Sequence, residues 1–192
     1  MTNSTNRRWQ TDDFLAGVFG AVTDYLTCCL TKFPTPVLMD TAQPVEEIND
    51  DIRQLADRMM DIMVEAKGIG LAGPQAGVNL RIFVVSTDGT KEHAKVYINP
   101  TIKLEGSIEV NEEGCLSLPG IYGKIKRYSQ CTVTATDLDG NTFTEVGEGL
   151  LGRAFQHEYD HLEGRMIKDR LSTPAKIRAK RRLKQLQAEY DP

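Results

Sequence analysis

The sequence predicts an α+β fold in which antiparallel strands pack around a central helix equipped to bind a metal ion. Three observations carry this reading. Apolar residues recur at intervals of three and four over residues 44–66, the spacing of a core-facing helix. Residues 131–137 alternate Thr with Val and Ala, then Asp139-Gly140 supplies a hairpin turn and residues 142–146 return. The third is Gln156-His157-Glu158-Tyr159-Asp160-His161-Leu162-Glu163-Gly164, which sets two imidazoles four positions apart with a carboxylate beside the first.

A chain of 192 residues with 40% hydrophobic content is one domain's worth and enough for a sizeable core. Its 23 basic and 27 acidic residues leave a formal charge of -4, ordinary for a soluble cytoplasmic protein. The four cysteines, Cys28-Cys29, Cys115 and Cys131, lack the spacing of a secreted disulfide framework, and a reducing compartment is expected. Arg7-Arg8 ahead of the apolar run 14–22 imitates a secretory signal. Asp12 and Asp13 interrupt it, however, and Asp24 stands where a small-residue cleavage site belongs. No stretch approaches the ~20 apolar residues that cross a membrane. Residues 1–10 are expected to form a mobile tail and residues 11–30 a short helix outside the core domain.

Phe33-Pro34-Thr35-Pro36-Val37-Leu38 is held extended by its two prolines. The helix over 44–66 opens with Pro44, Glu46 and Glu47 and turns Ile48, Ile52, Leu55, Met59, Ile62 and Met63 to the core. Residues 81–85 and 95–99 read as strands, the second ending at Pro100. His93 lies in the polar loop between them and is expected to be exposed rather than metal-bound.

On a helix, His157 and His161 project from one face one turn apart, so their rings close on a single cation while Glu158 stays free beside it. A cation so held activates water near neutral pH, and a neighbouring glutamate can take the proton and pass it to a leaving amine. The pattern therefore points to metal-assisted hydrolysis of an amide. A solvated stripe is the bland alternative. Against it, two of the chain's three histidines lie here, flanked by Leu150, Leu151, Ala154, Phe155 and Leu162, as in a buried helix.

Downstream residues supply no good third ligand: Ile167 holds the place where an extended zinc-protease pattern has another His, and Glu189 and Asp191 end a basic tail. Upstream, Glu113-Gly114-Cys115-Leu116-Ser117-Leu118-Pro119-Gly120 frames a lone Cys with glycines and a proline, and a Cys115 thiolate would complete an open four-coordinate site. A third stretch, Gly68-Ile69-Gly70-Leu71-Ala72-Gly73-Pro74-Gln75, lacks the Lys and the Ser or Thr of a nucleotide loop. Its glycines suit the close approach of a substrate backbone.

In order and separation these three motifs resemble the peptide deformylase family, from about residue 33 to about residue 170. The resemblance implies a metal-dependent hydrolase that removes the formyl group from the N-terminal methionine of N-formylmethionyl nascent polypeptides, with Cys115, His157 and His161 as metal ligands. Glu158 would be general base and then acid, and Gln75 with the Leu116 N–H would stabilise the oxyanion. Gly70 would hydrogen-bond the formyl group or the substrate backbone, and Ile69, Leu118 and Leu150 would line the methionine pocket. Ferrous iron is the implied metal, although the same ligands suit zinc, nickel and cobalt. Position 73 is Gly where the family usually has Ala, with a small effect on packing expected. Two other readings stand beside this one: a zincin-like peptidase acting on internal bonds, and a ribosome-bound module without activity, against which the intact metal and base positions weigh.

Over residues 168–192 eight basic residues meet three acidic ones, a net of +5 that leaves the rest of the chain at -9. Ala179, Leu183, Leu186 and Tyr190 recur at helical spacing, giving an amphipathic helix with a cationic face. It reads either as a solvated helix end or as a contact to RNA phosphates, and the family resemblance implies that such a helix meets the nascent chain at the ribosome. The expected organisation is thus an N-terminal extension (1–30), a catalytic domain (31–171) and a basic C-terminal helix (172–192).

Overall fold

Residues 25–190 are described by the computed structural model. The tail expected over 1–10 and most of the helix expected over 11–30 lie outside them. The described end of that helix is only a 3-10 turn, Tyr25–Thr27, followed by chain without regular secondary structure.

Five antiparallel strands pair in sequence order: β1 (Gly70–Ala72), β2 (Ile82–Val85), β3 (Lys95–Gly114), β4 (Tyr122–Thr136) and β5 (Thr142–Glu148). The architecture is α+β, as expected. Strand β3 does not end at Pro100. A register shift between Ile98 and Thr101 absorbs the proline, with Asn99 in left-handed backbone (φ 49°). Asn99 is held there by its own amide, which accepts from Val45 N at 2.9 Å and donates to Val45 O at 2.8 Å. Beyond the bulge β3 runs on to Gly114 against β4, so the strand itself carries the chain to Cys115.

Helix α1 (Asp50–Glu65) starts at Asn49, later than the expected Pro44, because the Asn49 side chain accepts from Ile52 N at 3.1 Å. Asp50 and Asp51 add negative charge to its first turn. Its buried face, Ile52, Leu55, Met59, Ile62 and Met63, packs against Leu71, Ile82, Val84 and Ile98 of the sheet. Helix α2 (Gly149–Leu162) buries Ala154, Phe155 and Leu162 with Phe83, Tyr97, Cys131 and Val133. The Tyr97 ring sits 4.8 Å from Phe83 and 5.1 Å from Phe155, an aromatic stack joining sheet to helix. Gln156 fixes the rotation of α2, since its amide donates to Tyr128 O at 2.9 Å and accepts from Tyr128 N at 3.0 Å.

After the short α3 (Ile167–Arg170), helix α4 (Thr173–Ala188) buries Ala175 and Leu186 in a third cluster with Phe33, Leu38, Leu118, Ile121 and Ile125. Arg182 donates to Pro119 O at 3.0 Å, so one basic residue of the tail braces the loop that follows Cys115. Lys176, Arg178, Lys180, Arg181 and Lys184 remain exposed. Cys29, Cys115 and Cys131 are free thiols, and no described helix is long and apolar enough to cross a membrane.

Gly73 has a firmer role than the sequence suggests. A methyl group there would lie 2.6 Å from Leu80 O and 3.1 Å from Val78 O, both backbone atoms. Gly73→Ala is therefore expected to destabilise the fold by about 1–3 kcal/mol through overpacking. Urea unfolding would show it as a lower midpoint at unchanged slope; an equal or higher midpoint contradicts the argument.

Candidate metal centre and active site

The end of β3 and one face of α2 converge. Cys115 Sγ and one ring nitrogen from each of His157 and His161 all lie within 4.8 Å of one another. Cys115 Sγ is 3.3 Å from His161 Nε2. The second nitrogen of His157, Nδ1, faces Glu113 Oε2 at 3.1 Å, an arrangement that places the proton on Nδ1 and leaves Nε2 for a cation. Two buried polar atoms at this cluster, Glu158 Oε2 and His161 Nδ1, have no hydrogen-bond partner among the described residues. One thiolate and two imidazoles with a buried, unpartnered carboxylate oxygen alongside fit a divalent metal with an open coordination position.

Electrostatics follow from burial and from Arg127. Burial pushes the Glu158 carboxyl up to about 7, against the opposing pull of His157 and Arg127. For Glu113 burial acts the same way, but hydrogen bonds from His157 and Arg127 outweigh it and hold the carboxyl well below its usual range. Burial holds the His161 pKa well below the usual imidazole value, and the Arg127 charge acts in the same direction.

Arg127 is the centre of a buried ionic network. It donates to both oxygens of Glu113, at 3.0 and 2.9 Å, and to Asp160 Oδ2 at 2.5 Å. Arg153 adds a contact to Glu113 Oε1 at 2.7 Å, and Arg170 grips both oxygens of Asp160. None of these partnerships was legible beforehand. Glu113 and Asp160 belong to motifs already singled out, but Arg127 is separated from both in sequence and reads as one more cation in Lys124-Ile125-Lys126-Arg127.

Gln75, fully buried, accepts from Ala72 N at 2.8 Å through its carbonyl, which turns its NH2 toward Cys115 Sγ, 3.6 Å away. The Leu116 N–H donates to no backbone carbonyl among the described residues. Gly70 lies against Glu158: a methyl group on it would sit 2.4 Å from Glu158 Oε1. A cavity of about 340 Å³ opens over these groups, and Ile69, Gly70, Gln75, Leu116, Leu150 and His157 are among its lining. Leu118 is not. It turns away from the cavity and is fully buried with Phe33 and Ile125, so the expectation that it lines a pocket is corrected. His93 is exposed beside Asp88 and distant in role from the cluster, as expected.

Residues 28–176 match the family model for polypeptide deformylase. The chain belongs to the polypeptide deformylase family. It is 43% identical over 155 residues to the peptide deformylase of Pseudomonas aeruginosa, covering 80% of this chain and 92% of that one. With the peptide deformylase of Acidobacterium capsulatum it shares 44% identity over 160 residues, 82% of this chain and 94% of the other. Among solved structures, the peptide deformylase of Plasmodium falciparum superposes with a TM-score of 0.81 at 33% identity, covering 84% of this chain and 96% of its own. That of Legionella pneumophila gives 0.78 at 39% identity, with coverage of 84% and 98%. The deformylase fold expected from the sequence is therefore the one found.

Glu113→Gln removes the charge that orients His157 and balances Arg127. Metal affinity, measured by chelator competition, is expected to fall about 10- to 100-fold. Because the folded-state pKa of Glu113 is depressed, its ionisation stabilises the fold above the ordinary carboxylate range, and this is lost as pH falls through the folded-state pKa. The variant should accordingly show a shallower loss of stability on acidification. Parental metal affinity together with a parental acid profile would refute the assigned role.

Proposed function

We propose that this enzyme removes the formyl group from the N-terminal formyl-methionine of newly synthesised polypeptides and releases formate. The observation that carries the reading is the Cys115, His157 and His161 cluster beside a buried Glu158, in one cavity of a deformylase-family chain. Cys115, His157 and His161 are assigned as the metal ligands. A divalent metal held by these three residues would supply Lewis-acid chemistry, polarising the formyl carbonyl and lowering the pKa of water. Ferrous iron is the assigned ion by family resemblance, and the thiolate–imidazole set is chemically compatible with it.

Glu158 takes the proton of the attacking water and delivers it to the amine nitrogen as the carbon–nitrogen bond breaks; formate departs with the water's oxygen. Its burial suits both halves of that task, because a carboxyl raised toward neutrality accepts and returns a proton at working pH. The Gln75 NH2 and the Leu116 N–H donate to the oxygen on which charge develops. Strand β1 forms an outer edge of the sheet and, among the described residues, pairs only with β2. A substrate peptide can extend along that edge, bonding the backbone at Gly70, while Ile69 and Leu150 receive the methionine side chain. Leu118 supports the loop from behind and does not touch substrate. The domain reading stays as an N-terminal extension, a catalytic domain over 31–171 and a basic C-terminal helix, with the last also packed into the fold.

Glu158→Gln, loaded with iron under argon, is expected to keep its metal and lose about 10²- to 10⁴-fold in turnover of formyl-Met-Ala-Ser. Released formate measures it, with an acetylated, internally cleavable peptide as control. Near-parental turnover at full metal occupancy would rule out Glu158 as the proton carrier, and cleavage of the control would favour the peptidase reading.

The exposed lysines of α4 are assigned to ribosomal RNA. Charge reversal of Lys176, Lys180 and Lys184 together spares the packed Arg182 and Leu186. Ribosome sedimentation should show weaker binding and a shallower salt dependence, with hydrolysis of short formyl peptides retained. Unchanged binding across salt concentrations would end this assignment.

A further inference from the structure

Two described residues other than glycine adopt left-handed backbone, Asn99 and Lys67. Asn99 is accounted for by its two bonds to Val45, and Asn tolerates this region. Lys67, at φ 57°, has no such compensation. It ends α1: Lys67 N donates to Val64 O at 2.9 Å and Gly68 N to Met63 O at 2.8 Å, the paired bonds of a Schellman turn. Glycine is the usual occupant of that position, since a side chain there costs energy. A lysine held where glycine is favoured indicates that its side chain is used.

The place of that side chain suggests the use. Lys67 is exposed and lines the mouth of the catalytic cavity. It makes no ion pair among the described residues, whereas the cavity's other cation, Arg153, is tied to Glu113 at 2.7 Å. Glu112 also lines the cavity, and its register partner on β4 is Lys124. From Gly70, which abuts Glu158, the chain runs back through Gly68, which abuts Leu116, to Lys67. A peptide extended beside it advances about 3.3 Å per residue, so three residues cover roughly 10 Å. A substrate running from Gly70 toward residue 67 would bring its second and third residues past the Lys67 side chain, which lines the same cavity.

Building on the deformylase reading, we propose that Lys67 is a specificity-determining residue favouring formyl-methionyl chains with an acidic side chain at the second or third position. Its charge acts on binding and not on the chemical step, so the preference resides in KM.

The test uses the full chain loaded with nickel and four peptides, formyl-Met-Asp-Ala-Ser, formyl-Met-Ala-Asp-Ser and their Lys counterparts, at low ionic strength. At one of the two positions Asp should exceed Lys in kcat/KM by about two- to five-fold, the range of an exposed ion pair. The ratio should shrink in ~0.5 M salt. Lys67→Glu should invert it. Lys67→Gly should bring it near one and raise Tm, because strain at the turn is relieved. Equal rates for Asp and Lys peptides in the parent would overturn the proposal, as would a preference that survives in Lys67→Gly. A lower Tm in that variant would show that lysine serves the turn itself, and would overturn it too. Absence of formate from all four peptides would instead remove the deformylase reading, and this proposal with it.

Discussion

The active site depends on one buried ion network, Glu113–Arg127–Asp160. Taking these charges out of water is costly, and removing one partner of such a set typically costs about 3–5 kcal/mol. Here each carboxylate is satisfied several times over: Glu113 by Arg127, Arg153 and His157, and Asp160 by Arg127 and Arg170. Arg127 comes from β4, Glu113 from the end of β3, Asp160 from α2 and Arg170 from α3. The network therefore fastens four elements at the point where Cys115, His157 and His161 meet. Through Glu113 it also fixes the ring of His157, so the stability of the fold and the geometry of the site share the same bonds.

What was legible in the sequence was what is local. His157 and His161 are one helical turn apart whatever surrounds them, and Cys115 stands in a glycine-framed turn, so both could be recognised before any fold was known. The hairpin at Asp139-Gly140 was readable for the same reason. The front half of β4 was not, because its inward positions are Gly123, Ile125 and Arg127. An arginine facing inward breaks the apolar alternation by which strands are recognised. Its burial makes sense only once Glu113 and Asp160, contributed by other elements, are beside it. Leu118 was misplaced for a related reason. Residues of a tight turn point in different directions over short intervals, and only the fold determines that Leu116 faces the cavity while Leu118 faces the core.

Helix α4 shows how one segment serves two readings that had been set against each other. Ala175 and Leu186 bury it, and Arg182 holds the loop beyond Cys115 through Pro119 O. Its other basic residues point to solvent. A solvated end and a cationic docking face are then compatible descriptions of opposite sides of the helix. Packing explains why the helix is part of the fold, and the remaining charge, unneutralised by local acids, is what an electrostatic partner would meet.

The wall from Lys67 to Gln75 is built by subtraction. A methyl group on Gly70 would occupy the space of the Glu158 carboxylate, and one on Gly68 would lie 2.7 Å from Leu116 Cδ1. Side chains are absent where backbone must approach the reacting groups. At the mouth the logic reverses. Lys67 keeps a long side chain in a backbone conformation that would be easier without one. Since glycine would relieve the turn, the cost at Lys67 is sustained by something outside the fold's own stability, and the cavity mouth is where that side chain stands.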